Sequence, residues 1–449
     1  MDFNEQLFAT MKEEEKRKHL REIVHVSNTI PSNEDFCHLR KEIFKWGKTI
    51  KTFQERIPLK WIHLERSLDL VRETGINILS FKELADLSSN CSIYNEDEVE
   101  LFLIYQNNIG NIVYFKSLKN YVILSQKWLA DAFKCLVCDS DKVDVKLRNT
   151  DDWQALKTRG ELSLSLVSRL FDKVPELDFT KFQDHLLNVA ELFGIVMRPK
   201  TITGKNKIEK TPDYYMPSMI NDAPEFSELL EHFGANLQDC KRQPWVCFQF
   251  KFLPLSLFNY ILFYFMRLYT VCTYFVKKCK RLALFHGMAV FYNDHTRKQK
   301  IVLCFAKNAI CIQFWEWRQP EKSTYKNLLS KIQSEILRLR YKYNIKIAFS
   351  KLGKCADGNI HDPAGWISYE DLDDEYLCEE HNQLHQSKDL CDTWFMEYEV
   401  FPVVRFPLIV PCMFEWNSPQ ILHAFMTDKI TLCNQEKTTL SIILQFSEF

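Results

Sequence analysis

The residues best equipped for chemistry gather in Leu377–Cys391, LCEEHNQLHQSKDLC. Read as a helix, this stretch puts His381 and His385 on one face, four positions apart, with Cys378 one turn earlier. Three ligands of the types zinc prefers then converge, and Cys355 or Cys391 would complete a four-ligand set. Asn382 stands where a His-Glu-x-x-His metalloprotease carries its general base, so a structural ion is expected there rather than a hydrolytic one. The plainer account of the same residues is a solvated helix with two exposed histidines. The spacing favours that account because it does not fix the fourth ligand.

Other chemistry is absent or weak. Cys135 and Cys138 form a lone Cys-x-x-Cys at the end of an apolar helix. Redox work needs the electropositive helix start, so buried packing is the better account. A phosphate-binding loop needs Gly-x-x-x-x-Gly-Lys-Ser/Thr, and after Gly353 and Gly358 come Asn359 and Ile360 instead. Asn206-Lys207-Ile208-Glu209 imitates a guanine-specifying motif only by chance. The sequence also lacks Asp-Phe-Gly, His-Arg-Asp, Gly-x-Gly and Gly-x-Ser-x-Gly, so no kinase or Ser/His/Asp hydrolase is expected.

The totals fit a protein of several domains without an electrostatic speciality. The 449 residues carry 58 Lys plus Arg against 59 Asp plus Glu, which removes the usual footprint of nucleic-acid binding. Fifteen cysteines follow no framework spacing, and the polar N-terminal helix Met1–Leu20 is unlike a signal peptide. Reduced thiols and a cytoplasmic location are expected. One segment, Phe252–Val276, has the length and the basic flank of a membrane span, but Pro254, Asn259 and Arg267 argue for a buried helix instead.

The elements needed to position these residues read as α+β. A strand near Arg21–Asn28 and a helix carrying Phe36, Leu39, Ile43 and Phe44 leave one strand without a partner. Pro58 then opens a helix with Trp61 beside a stripe of Leu59, Ile62, Leu64, Leu68 and Leu70. Ser80 is a candidate cap for the next helix, followed by a helix ending at Gly110. Strands Asn111–Phe115 and Tyr121–Ser125, a helix Gln126–Val137 and a helix Lys181–Phe193 complete a helical, winged-helix-like first half. A strand Gly194–Pro199 and a strand Tyr214–Ser218 flank a polar loop, and Asn221–Arg242 reads as polar connection. Trp245–Leu253, Ala283–Asn293, Lys300–Ala306 and Ala309–Trp317 read as strands. A helix with core residues Leu328, Ile332, Ile336 and Leu339 packs on them, making the second half an antiparallel sheet with packed helices. Residues 396–449 are left unassigned.

The order LRKEIFKW, IPLKWIHLE, LFLIYQNNIGNIVYF, VILSQKWLADAF, ELFGIVM, YYMPSMI and WVCFQFKFLPLSLF closely resembles the COR domain of Roco proteins, the module that follows the Roc GTPase. The resemblance covers residues 20 to about 395. It implies that residues 1–48 are the end of a Roc domain, with Ser27 and Asn28 on its guanine side. It likewise implies that Pro58 and Trp61 mark the Roc–COR junction, that 57–222 form the first COR half, and that 242–395 form the second, dimerising half. Within that second half, Phe305, Ile312, Phe314 and Trp315 are expected at a homodimer interface, because the alternation of Ile310, Ile312 and Phe314 suits a sheet with one covered and one exposed face. The expected function is a non-catalytic scaffold coupled to a Roc GTPase domain in cis or trans, with no cofactor beyond structural zinc. The alternatives are a piece of a larger Roco GTPase, with or without a linked Ser/Thr kinase, and a membrane-anchored adaptor using Phe252–Val276.

Overall fold

The computed structural model describes residues 20–27, 32–49, 56–137, 144–203, 207–294, 296–317, 323–342, 348–362, 364–369, 374–394 and 439–445. The expected N-terminal helix, Asn28, Cys138, Asn206 and most of 396–449 lie outside them. Within them the chain is α+β, helical first and sheet-rich later. Two compact units take, respectively, the described residues of Met1–Gly75, Lys82–Phe102 and Gln420–Phe449, and those of Ile76–Phe81 and Leu103–Pro419.

In the first unit, β1 (Leu20–Ser27) runs antiparallel to Thr439–Gln445, so the strand that lacked a partner in the sequence has one. Val24 and Val26 bury against Leu39 of α1 (Asn33–Gly47), whose start is capped by the Ser32 hydroxyl accepting from the Asp35 amide at 3.3 Å. Pro58 precedes α2 (Leu59–Glu73) with φ −55°, the value its ring imposes. Trp61 donates its indole N–H to Glu98 Oε1 at 3.3 Å and meets Phe102 edge-on at 5.8 Å. The single apolar stripe expected on α2 is corrected here: Leu64 and Leu68 are buried, whereas Leu59, Ile62 and Leu70 are exposed. At 3.6 residues per turn, positions 61, 64 and 68 share one face and 59, 62 and 70 the opposite one.

In chain order there follow β2 (Ile78–Ser80), α3 (Phe81–Asn90), α4 (Glu96–Asn108), β3 (Tyr121–Ile123) and α5 (Gln126–Leu136). The two-stranded element differs from expectation. Strand β3 pairs with β2, and Asn111–Phe115 contributes only the Val113–Ile123 bridge. Ser80 ends β2 and directly precedes α3, and at the start of α5 the Ser125 hydroxyl accepts from the Trp128 amide at 3.2 Å. Trp128 is buried among Phe179 and Phe182 and donates its indole N–H to the Leu177 carbonyl at 2.8 Å. Helices α6 (Asp151–Arg159), α7 (Leu164–Phe171) and α8 (Gln183–Leu192) complete this part. The expected polar loop folds into a hairpin of β4 (Lys200–Ile202) and β5 (Ile208–Lys210), and the polar connection contains α9 (Phe226–Phe233), which buries Leu229.

The second unit is dominated by a nine-stranded antiparallel sheet. Its main path starts at β7 (Thr270–Val271), β8 (Met288–Tyr292), β9 (Gln299–Ala306) and β10 (Ala309–Glu316). It continues through β6 (Trp245–Phe250) to β11 (Phe349–Lys354) and β12 (Ile367–Ser368). One face carries Ile301, Leu303, Ile310, Ile312 and Phe314 against α10 (Leu255–Leu268) and α11 (Ser323–Lys342), whose Leu328, Ile332, Ile336 and Leu339 are buried as expected. The opposite face carries Trp245, Cys247, Val302, Cys304, Cys311 and Trp315 under Leu229.

Both faces are therefore covered, which corrects the expected interface. Ile312, Phe314 and Trp315 are fully buried in this chain's own core, and Phe305 is half-buried with its ring 5.6 Å from Phe258. The long apolar segment is corrected as well: α10 stops at Leu268 because Tyr269 is extended, and Thr270–Val271 and Thr273–Val276 are strands. Among the described residues no helix is long and apolar enough to cross a membrane.

Candidate metal centre

The second unit brings the donor atoms of Cys355, Cys378, His381 and His385 within 4.8 Å of one another. Cys355 Sγ lies 3.8 Å from Cys378 Sγ and 3.3 Å from His381 Nδ1, and Cys378 Sγ lies 3.4 Å from the same nitrogen. The ligand types named from sequence thus converge, and Cys355 is the fourth member. The side chain of Cys391 lies outside the described residues.

The local structure differs from the expected helix. Cys378 ends β13 (Glu375–Cys378), His381 sits in the turn, and His385 is on β14 (Gln383–Gln386) of an antiparallel hairpin. Asn382 takes φ +50° in that turn, a conformation that asparagine tolerates better than most residues. Period-two alternation buries Tyr376 and Cys378 and exposes Glu375 and Leu377. Across the ladder Tyr376 faces His385, with ring centroids 5.5 Å apart. The hairpin leads into α12 (Ser387–Trp394), which is anchored by Trp394 against Phe314 and by its indole N–H on the Pro244 carbonyl at 2.9 Å.

Cys355 is held from the other side by the end of β11. Gln313, fully buried, donates to the Ala356 carbonyl at 2.8 Å and accepts from the Trp315 indole at 2.8 Å. Lys354, also fully buried, donates its ammonium to the carbonyls of Asn359, Asp362 and Ala364 at 2.7, 2.9 and 2.6 Å and pairs with Glu380 at 2.7 Å. It therefore ties the loop after Cys355 to the turn that carries His381. Sequence reasoning missed Lys354, although its signal lay in the glycines tested for a phosphate loop. A Cβ at Gly358 would lie 2.6 Å from Lys354 Cε, so that glycine makes room for the lysine. Gly365, at φ +74°, approaches Cys378 closely, since a Cβ there would lie 3.4 Å from its sulfur.

Burial, and then the neighbouring Cys378, push the Cys355 thiol up. Burial, then Cys355, also raises Tyr376. His385 Nε2 is shielded from solvent and has no hydrogen-bond partner. A metal bound to all four residues would have no open position, so the arrangement can cross-link but not activate a water.

The remaining sequence-predicted sites do not join this cluster. Pro58 is exposed and Trp61 half-buried on α2 in the first unit. Ser27 ends β1. Residues 58–199 match the family described as C-terminal of Roc, COR-A domain. Over 124 residues the chain is 27% identical to Cyclic GMP-binding protein C of Dictyostelium discoideum; the match takes in 26% of this chain and 5% of that protein's length. The resemblance to the COR module of Roco proteins is thus shown over residues 58–199, by a match to its COR-A domain.

Proposed function

We propose that this chain is a non-catalytic scaffold that couples to a Roc GTPase domain, in cis or trans, in cytoplasmic signalling, and that it assembles as a homodimer. The COR-A match over 58–199 carries the coupling to a Roc domain, and the homodimer rests on the resemblance of 242–395 to the second COR half. Helix α2 supports it: Leu59, Ile62 and Leu70 leave an apolar face open on the side opposite the core, with Arg66 and Glu73 among them. That face suits docking of a GTPase domain. The test is titration calorimetry of the purified chain with an isolated Roc domain loaded with GDP or a GTP analogue. Binding that L59D/I62D abolishes, with the helical signal unchanged, is the expected result, and no binding in either nucleotide state rejects the reading. Light scattering tests the dimer separately, and a monomer mass in concentrated solution removes it.

A second reading is favoured by the small share of the relative that is matched, 5% of its length. In it the module works as one part of a longer GTPase and regulates it in cis. GTP hydrolysis by that longer protein, altered by L59D/I62D, distinguishes this arrangement from a scaffold acting in trans.

A further inference from the structure

The geometry points to a structural zinc site formed by Cys355, Cys378, His381 and His385, which pins the hairpin Glu375–Gln386 to the edge of the large sheet. A tetrahedral site with Zn–S of about 2.3 Å and Zn–N of about 2.0 Å places its ligand atoms about 3.3–3.8 Å apart. The three measured separations, 3.8, 3.3 and 3.4 Å, fall in that range. The fourth residue is an independent indicator, because the His385 Nε2 nitrogen is buried without a partner. Buried polar atoms are seldom left so unless a group that completes them is missing from view.

The donor set selects the ion. Two thiolates and two imidazoles suit zinc, whereas magnesium and calcium take oxygen ligands. Binding is balanced by protons: each thiol gives up one as its sulfur bonds the metal, both imidazoles bind neutral, and the neutral Zn(S)2(N)2 centre sheds two protons to solvent.

What the ion would do follows from where its ligands sit. Cys355 is the first residue after β11, next to the edge of the sheet, and the other three belong to a hairpin whose own pairing is short. A two-stranded hairpin is marginal alone, and among the described residues the apolar cluster beneath this one holds Cys355, Tyr376, Cys378 and Leu390, with Ile367 and Tyr369 beside it. Zinc would replace the missing core by a cross-link. Lys354 and Glu380 then act as positioning residues, since they hold the two ligand-bearing loops together without touching the metal.

The experiment uses the full chain, expressed with zinc supplementation and purified without chelator, and reads metal content by plasma mass spectrometry. About one zinc per chain is expected. C355S, C378S and H385Q should each lose at least tenfold in zinc retained against a competing chelator, and C391S should lose nothing. Because a ligand variant can misfold, the wild-type chain is also reloaded with cobalt. Thiolate-to-cobalt charge transfer with the visible bands of tetrahedral Co(II) is the expected spectrum. No metal in the wild type, or a Cys355–Cys378 disulfide recovered from its non-reducing digest, overturns the proposal. So do a stoichiometric metal other than zinc, an octahedral cobalt spectrum, or full zinc retention by C355S.

Discussion

The chain uses buried cysteine in two ways, and the contrast lies within one unit. Cys304, Cys311 and Cys247 sit side by side on β9, β10 and β6, in direct register across the sheet. They are packed among Ala306, Ala309, Val290, Val302, Trp245 and Trp315, and burial pushes the Cys247 and Cys304 thiols far up. There the sulfur is a small hydrophobe. Cys355 and Cys378 are equally hidden, but they face two imidazole-bearing residues at the margin of the sheet, where little apolar surface surrounds them. Burial alone does not make a ligand. Convergence of unlike donors in a place short of core does.

If that distinction is right, damage to the sheet should be global and indifferent to metal. Phe314 is fully buried between Tyr325, at 4.7 Å, and Trp394, at 5.6 Å. Phe314→Ala should cost about 3–5 kcal/mol, the range for large-to-small changes in a packed core. Urea unfolding should show the same loss before and after treatment with a zinc chelator, and a chelator-dependent loss would break the comparison. Lys354→Met should do less, about 1–3 kcal/mol, since it takes the ammonium away from three part-buried carbonyls and from its ion pair with Glu380. Hydrogen exchange should localise that loss to the loop after Cys355 and the β13–β14 turn, with β6, β9 and β10 unchanged. Exchange that rises evenly over the whole sheet would contradict the local role.

The same contrast explains what could be read from the sequence. The alternation of Ile310, Ile312 and Phe314 announced β10, because period two is a property of the strand itself, but not that α10 and α11 cover the side expected at an interface. Nothing in those residues shows that Cys311 and Trp315 are covered too, since the cover includes Leu229, about eighty positions earlier in a stretch that reads as polar. That is why an expected surface turned out to be core. Three donors, Cys378, His381 and His385, were legible, and so was Cys355 as one of two choices for the fourth. Their scaffold was not, because a spacing of four suits a helix face as well as a turn followed by a return strand. What decides is Asn382 at positive φ and the Tyr376–His385 pairing, both products of the folded hairpin. The COR-A segment was recognisable because its marks are bulky and ordered, Pro58, Trp61 and Trp128 among them. The split of α2 into a buried and an open apolar face follows from helical geometry, but which face packs depends on Phe102 and Glu98.

A smaller effect should come from the sheet cysteines. Cys311→Ala removes one buried sulfur and should cost about 1–2 kcal/mol with zinc content unchanged, whereas C378S should lose the metal. A thiol reagent applied to the folded chain should leave Cys247 and Cys304 unmodified. Zinc loss in the Cys311 variant would mean that the two sets of cysteines are coupled.

The smallest effect concerns the histidines, which repeat the contrast. His185 of α8 lies 5.0 Å from the Tyr121 ring, and burial lowers its pKa to about 4. In the unfolded chain it titrates near about 6.5. Between those values the unfolded state holds a proton that the folded state refuses. The stability is therefore fully present above about pH 6.5 and declines as the pH falls towards 4. His185→Gln should make that decline shallower. A zinc site also weakens in acid as its ligands take up protons, so the measurement belongs on chelator-treated protein, where the difference between the two chains isolates the His185 contribution. Urea midpoints between pH 7 and 4, compared for the two chains, would show it. Identical slopes would mean that the imidazole of His185 is charged in the fold after all, and that in this chain burial governs the thiols more strictly than the histidines.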